Sequence, residues 1–333
     1  RLRLGELEMP FFYQTWGEKP KNGYPLFISM HGGGGAPTEI NDGQYRNQQH
    51  LYDATMRSLS GVYLAPRAAT DTWDLWHQAH IDQFFDLIIR MAAVEEQIDL
   101  QRVYLLGYSA GGDGVYQLAP RLADRLAAAS MMAGHPNDAS PLSLRNLPFA
   151  IHMGALDDAY DRNRVAEQWG KTLDSLQKAD GKGGYTHTTT LHAGKGHWME
   201  LQDAVALKWM SEFQRNPLPE RIVWGYDKQL HQQFYWLGVP EKAPAFAKAA
   251  VVERKGQEIR VLQNSADTLY IYLNDEMLDL DKPLRCQIGE AAATELQVKR
   301  RRAHIEQTLK AKGDPNLVFS ARLVVAGGKV YAD

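Results

Sequence analysis

Ser109 stands in Gly107-Tyr108-Ser109-Ala110-Gly111, directly after the apolar run Val103-Tyr104-Leu105-Leu106 and just ahead of Gly112 and Gly114. A serine hydroxyl becomes a usable nucleophile when a sharp strand-to-helix turn pushes it out of the backbone toward a base. Such a turn needs small residues on both sides, because side chains there would strike the neighbouring strand and helix. G-x-S-x-G alone recurs by chance; here an apolar run before it and glycines after it supply the context. The chemistry it predicts is acyl transfer, with Ser109 attacking a carbonyl carbon.

That attack builds negative charge on an oxygen, which backbone N–H groups can stabilise where no side chain blocks them. Upstream, Pro25-Leu26-Phe27-Ile28-Ser29-Met30 ends in His31-Gly32-Gly33-Gly34-Gly35. The glycines predict an oxyanion loop with one donor at Gly33, to within one residue, and the second at Ala110, the residue after the nucleophile. A mobile loop or a phosphate cradle is the other use of a glycine run. Neither phosphate fingerprint fits, since there is no G-x-x-x-x-G-K-[ST] and the glycines are contiguous.

A general base and an acid to orient it are also needed, and both follow Ser109. The segment Pro148–Met153 runs into Gly154-Ala155-Leu156-Asp157-Asp158, and Thr186–Ala193 leads into Gly194-Lys195-Gly196-His197-Trp198. Asp157 lies 48 residues after Ser109 and His197 another 40 on, gaps that each hold one or two strand–helix units. Of the 11 histidines, His197 stands apart by its place on a small-residue loop. His152 and His192 fall inside strand patterns and are expected in packed layers. Asp157 and Asp158 are not separable on sequence; Asp157 is favoured because it comes first after the strand, which leaves Asp158 or Asp161 to pair with Arg162.

Three loops can converge only if one sheet presents them at one edge. Strand patterns fall near Glu8–Thr15, Pro25–Met30, Gly61–Pro66, Arg102–Leu106, Ala127–Met132, Pro148–Met153 and Thr186–Ala193, with helices near Leu75–Gln97, Gly112–Leu122, Arg162–Lys178 and Trp198–Arg215. This alternation predicts an α/β fold, a mostly parallel sheet flanked by helices. Asn216-Pro217-Leu218-Pro219 punctuates the chain. Beyond it come short β runs at 221–225, 233–238, 258–262, 268–273, 284–288 and 295–299, a helix near His304–Lys312 and a strand at Leu317–Val325. The expected organisation is a catalytic domain at 1–219, an aromatic hairpin and linker at 220–250 (the linker at Pro240–Ala250), and a small β-sandwich-like accessory domain at 251–333.

Taken together and in this order, HGGGG, GYSAGG, GALDDAYDRN and GKGHWM resemble the α/β-hydrolase superfamily. Within it the chain is similar to secreted bacterial esterases related to polyhydroxybutyrate depolymerases and feruloyl esterases, often called prolyl-oligopeptidase-like, that carry an extra β domain. The resemblance covers about Glu8 to Arg215 with specific motifs and the remainder with weaker ones. It implies Ser109 as nucleophile, Asp157 as acid, His197 as base, Gly33 and Ala110 as oxyanion donors, and export to the periplasm or outside. Asp113 departs from the pattern, standing where such esterases often carry an aromatic or apolar residue; a carboxylate there that reached the pocket would disfavour anionic substrates.

Substrate-binding candidates are the aromatic and histidine side chains at strand ends, Trp73, Trp76, His77, His135 and Trp198, with Met131 beside them, placed to stack on a sugar or a phenolic acyl group. Trp76 can equally open a helix and pack into the core. No metal-ligand spacing is present, and no metal or other cofactor is expected. A net charge of −3 over 333 residues argues against a nucleic-acid partner; Lys299-Arg300-Arg301-Arg302 reads as a solvated strand end. No apolar stretch approaches the ~18 residues of a bilayer span. The single cysteine, Cys286, reads as a buried strand residue. No signal peptide is visible, and a start at Arg1 without methionine is that of a processed or trimmed chain. The function these features predict is hydrolysis of a small-molecule or polymer-linked carboxylic ester. A serine peptidase with the same three residues and a non-catalytic binding protein are the alternatives. Oligomeric state is not legible.

Overall fold

Strands that are apolar along their whole length need cover on both faces, and the central strands here are of that kind. In a computed structural model of the chain, residues 1–225, 231–243 and 249–333 are described. They divide into two units, Arg1–Arg215 and Asn216–Asp333. The first carries strands β1 (Leu2–Leu4), β2 (Leu7–Met9), β3 (Phe11–Trp16), β4 (Tyr24–Met30), β5 (Gly61–Pro66), β6 (Ile98–Tyr108), β7 (Ala128–Met132), β8 (Phe149–Gly154) and β9 (His187–His192). Its helices are α1 (Thr38–His50), α2 (Asp53–Met56), α3 (Ala79–Glu95), α4 (Ala110–Arg121), α5 (Arg162–Asp180) and α6 (Val205–Ser211). A seven-stranded sheet runs in the order β3-β5-β4-β6-β7-β8-β9. Only β3 is antiparallel to its neighbour; the other six strands run parallel. All of β5, β7 and β8 is buried.

The strand order positions the site. From β4 the chain passes to β5 on one side, then returns to place β6 on the other, so the order reverses beside β4. Loops leaving the carboxyl ends of strands at such a reversal diverge and leave a crevice between them. The loops after β4 and β6 are the glycine run and Ser109.

Several elements differ from those predicted. The strand expected over Glu8–Thr15 is broken at Pro10, which has no N–H to donate: β2 folds back on β1 and β3 joins the main sheet. The helix expected from Trp198 is a 3₁₀ turn at Gln202–Ala204 followed by α6. Helix α1, Thr-Glu-Ile-Asn-Asp-Gly-Gln-Tyr-Arg-Asn-Gln-Gln-His, was not predicted at all, because it has no apolar stripe; the next subsection gives the reason.

The second unit begins at Asn216. It holds one five-stranded sheet of β10 (Arg221–Gly225), β13 (Ala249–Lys255), β14 (Glu258–Asn264), β16 (Leu284–Ile288) and β17 (Thr294–Leu296), in that order. A second sheet orders β11 (Gln233–Phe234), β12 (Leu237–Gly238), β15 (Thr268–Leu273), β18 (Ala321–Ala326) and β19 (Lys329–Ala332), and the unit also has helix α7 (Arg302–Lys312). The aromatic segment from Arg221 is therefore sheet in this unit: β10 pairs with β13, and Trp224 stacks on Phe234 with ring centroids 5.6 Å apart. The expected linker Pro240–Ala250 ends inside β13, and its residues 244–248, like Tyr226 of the hairpin, lie outside the described residues. Cys286 is buried in β16, and burial pushes its thiol up to about 12. Arg300 of the basic run pairs with Asp275 and Asp281.

Candidate active site

Ser109 sits at the turn from β6 into α4 with φ 59° and ψ −121°, a left-handed value costly for any residue but glycine. The surrounding glycines make the turn possible. A Cβ at Gly107 would lie 2.2 Å from the Gly111 carbonyl oxygen, and one at Gly111 would lie 2.2 Å from that of Met30. Helix α4 therefore starts pressed against the ends of β4 and β6, with the serine thrown outward. Ala110 is the first residue of that helix, where backbone N–H groups have no partner inside the helix.

His197 Nε2 lies 2.9 Å from Ser109 Oγ, and His197 Nδ1 lies 2.7 Å from Asp157 Oδ2. A carboxylate only accepts hydrogen bonds, so Nδ1 carries the proton and donates, which leaves Nε2 of the neutral ring to accept from the serine hydroxyl. Asp157 follows β8 and its side chain is 2% exposed; that of His197 is 43% exposed, open to a substrate. Asp158 is exposed and precedes the 3₁₀ turn Ala159–Asp161. Arg162 was expected to pair with Asp158 or Asp161. Instead it approaches Asp157 Oδ1 at 3.5 Å and lies over the Tyr160 ring, while Asp161 pairs with Arg164.

The glycine run is clamped from below. Gly33 has φ +116°, and a Cβ there would lie 2.0 Å from Asn41 Oδ1. Asn41, fully buried in α1, accepts from Gly34 N–H at 3.0 Å and donates to Gly34 O at 3.0 Å and to Asp71 at 2.9 Å. Arg67 ties Asp71 to Asp42 on the same helix. His31 anchors the other end of the run: its Nε2 accepts from Ala68 N–H at 3.1 Å, and burial pulls its pKa down to about 4, keeping it neutral. Sequence reasoning missed Asn41 and its partners. Their signal is only an asparagine a few residues past a glycine run.

Two clefts meet at Ser109 and Gly33. The larger, about 950 Å³, is bordered by Gln44, Asn47, His50, Tyr108, His197 and Trp198. Its α1 wall explains that helix's polar sequence: Gln44, Arg46, Asn47, Gln48 and His50 all line it. The smaller, about 470 Å³, is bordered by Trp73, Ala110, Asp113, His135, Tyr160 and Arg162.

The predicted substrate-binding residues separate accordingly. Trp198 borders the larger cleft and is 49% exposed; Trp73, 66% exposed, and His135 border the smaller. Trp76 does not reach either cleft. It is fully buried, and its indole N–H donates to His31 O at 3.0 Å, so it is a core residue behind the glycine run. His77 is likewise displaced: it packs edge-on under Trp73, burial pulls its pKa down to about 4, and neither cleft touches it. Met131 is also buried. His152 and His192 are buried and stacked on each other, as their strand positions predict.

Tyr108 is an addition, while Asp113, singled out in the sequence, does border a cleft. The Tyr108 ring packs edge-on against His197 and its hydroxyl bonds the loop that carries it. Asp113, on the first turn of α4, accepts from His135 N–H at 2.7 Å, and burial raises its carboxyl to about 6.

No family model matches the chain. It is 27% identical over 191 residues to the bifunctional acetylxylan esterase/xylanase XynS20E of Neocallimastix patriciarum, a match covering 55% of this chain and only 27% of that protein's length. Among solved structures it is similar to a thermostable esterase (18% identity, TM-score 0.47, 62% of this chain and 59% of that one). An acetyl xylan esterase from Aspergillus awamori gives 12% identity, a TM-score of 0.44, and coverage of 61% and 94%. No helix among the described residues is long and apolar enough to cross a membrane. Serine, acid and histidine follow one another on strand-end loops of one mostly parallel sheet flanked by helices, which makes this unit an α/β fold.

Proposed function

We propose that this chain hydrolyses carboxylic esters through a covalent acyl-serine. The observation that carries the reading is the continuous hydrogen-bond path from Ser109 Oγ through the His197 ring to Asp157, opening on two clefts. Ser109 Oγ attacks the ester carbonyl carbon while His197 Nε2 takes the hydroxyl proton. The carbonyl oxygen becomes an oxyanion held by the Gly33 and Ala110 N–H groups. When the tetrahedral intermediate collapses, the C–O bond to the alcohol breaks and the imidazolium returns its proton to the departing oxygen. Water, deprotonated by the same histidine, then attacks the acyl-serine and releases the acid. Asp157 holds the ring and balances its transient charge.

Esters rather than amides are favoured because the relative matched over half of this chain is named as an acetylxylan esterase as well as a xylanase, and no peptidase activity is in its name. A panel of chromogenic esters and matched amides tests this directly. Turnover of the esters with little turnover of the amides is expected. Faster amide cleavage would give the site to a peptidase, and no turnover of either would remove the hydrolase reading.

A further inference from the structure

The two clefts are chemically unlike, and the position of His197 decides which half of an ester each receives. The imidazole that protonates the leaving oxygen must border the space that oxygen leaves into. His197 borders the larger cleft, with Gln44, Asn47 and Trp198. The smaller cleft shares Ser109 and Gly33 with it but not His197, and is bordered by Ala110, Gly34 and Gly35, which leaves it for the acyl chain.

We propose that Asp113 determines acyl specificity in that smaller cleft: its carboxylate accepts a hydrogen bond from a hydroxyl or similar donor on the acyl chain and turns away acyl chains that end in a carboxylate. This rests on the ester-hydrolase reading of the site. Asp113 borders the cleft together with Trp73, His135, Asn137 and Arg162. It is faced by the His135 N–H and the Asn137 side chain from the loop after β7, by Arg162 from α5, and by Tyr116 of its own helix. A carboxylate has about four acceptor sites, so these partners leave room for a substrate donor. Arg162 does not make the cleft welcoming to anions. Its guanidinium faces Asp157 Oδ1, donates to Ala159 O and covers the Tyr160 ring, and two carboxylates stand against that one cation.

Charge on Asp113 can be switched without mutation. With its carboxyl raised by burial to about 6, the group is mostly ionised at pH 7.5 and mostly protonated at pH 5. Any loss of activity common to both esters cancels in a ratio of substrates.

The test compares methyl 4-hydroxybutyrate with monomethyl succinate, the latter with a free carboxylate, their hydrolysis followed by chromatography of the methanol released, in the full chain and in Asp113→Asn. At pH 7.5 the kcat/KM ratio should favour the hydroxyacyl ester by about tenfold or more. It should shrink toward pH 5 with an inflection near 6, and in Asp113→Asn it should be smaller and lose that inflection, leaving only what the His135 imidazole of the same cleft contributes. An unchanged ratio in Asp113→Asn, or a ratio flat with pH in the unmutated chain, overturns the proposal. If no ester at all is turned over, the hydrolase reading fails separately. Binding of methyl 4-hydroxybutyrate and monomethyl succinate to Ser109→Ala, with and without Asp113→Asn, read by NMR titration, then decides the role of Asp113 by the same ratio.

Discussion

The hydroxyl of Tyr108 donates to the carbonyl oxygen of His197 at 2.8 Å and accepts from the Met199 N–H at 2.9 Å, so the residue next to Ser109 fixes the loop that carries the opposing histidine. One side chain thus links the two loops whose separation sets the 2.9 Å contact between Ser109 and His197.

Removing that hydroxyl in Tyr108→Phe leaves both backbone groups without it and lets the histidine loop drift. Small misplacement of a catalytic group costs rate far more than binding, so kcat for a chromogenic ester should fall about ten- to hundredfold while KM stays within about twofold. A KM rise at constant kcat would instead make Tyr108 a wall of the cleft.

Ser109 should be the one hyper-reactive serine. A fluorophosphonate followed by peptide mapping is expected to label it alone, and Ser109→Ala to remove the label. His197→Ala should lower kcat by about 10³ to 10⁶. Labelling at another serine would displace the assignment.

The neighbouring acids separate by environment. Asp157 is almost fully covered and bonded to His197, whereas Asp158 is exposed. Asp157→Asn should cost about 10⁴ in kcat, since an amide there favours the wrong imidazole tautomer. Asp158→Asn should change kcat less than about threefold. Steady-state kinetics on one ester settles the pair, and the reverse order would transfer the role.

What the sequence made legible was whatever local chemistry dictates. Apolar runs buried on both faces announced β4 to β8, and the glycines around Ser109 announced its turn because only small residues fit there. Where tertiary surroundings decide, the pattern fell silent. Helix α1 escaped because its face lines a cleft, so Gln44, Asn47 and Gln48 stand where an apolar stripe would otherwise mark a helix. Trp76 and Trp73 are three residues apart and chemically alike, yet one is core and the other cleft wall; only the packing behind His31 separates them. The role of Asn41 as clamp of the glycine run arises from a contact between loop and helix that no periodicity encodes.

Buried histidines give the fold a pH dependence with a definite sign. His31 and His152 are 0% and 3% exposed, and burial holds each near a pKa of about 4, against about 6.5 in an unfolded chain. Between those values the unfolded chain binds protons that the folded chain does not, so stability is full above about pH 6.5 and is lost as pH falls, by about 1.4 kcal/mol per pH unit for each such histidine. Asp113 acts oppositely: its folded carboxyl, raised by burial to about 6 from about 3.9 in an unfolded chain, keeps a proton that the unfolded chain releases, adding stability as pH falls through 6. Together with His77, which burial also holds at about 4, these histidines outweigh that carboxyl. Urea unfolding of the unmutated chain should therefore show a midpoint that declines from pH 6.5 to pH 5. In Asp113→Asn, with the opposing group gone, the decline should steepen by about one proton's worth. A midpoint that is flat or rises toward pH 5 would mean that these histidines are already charged in the folded protein.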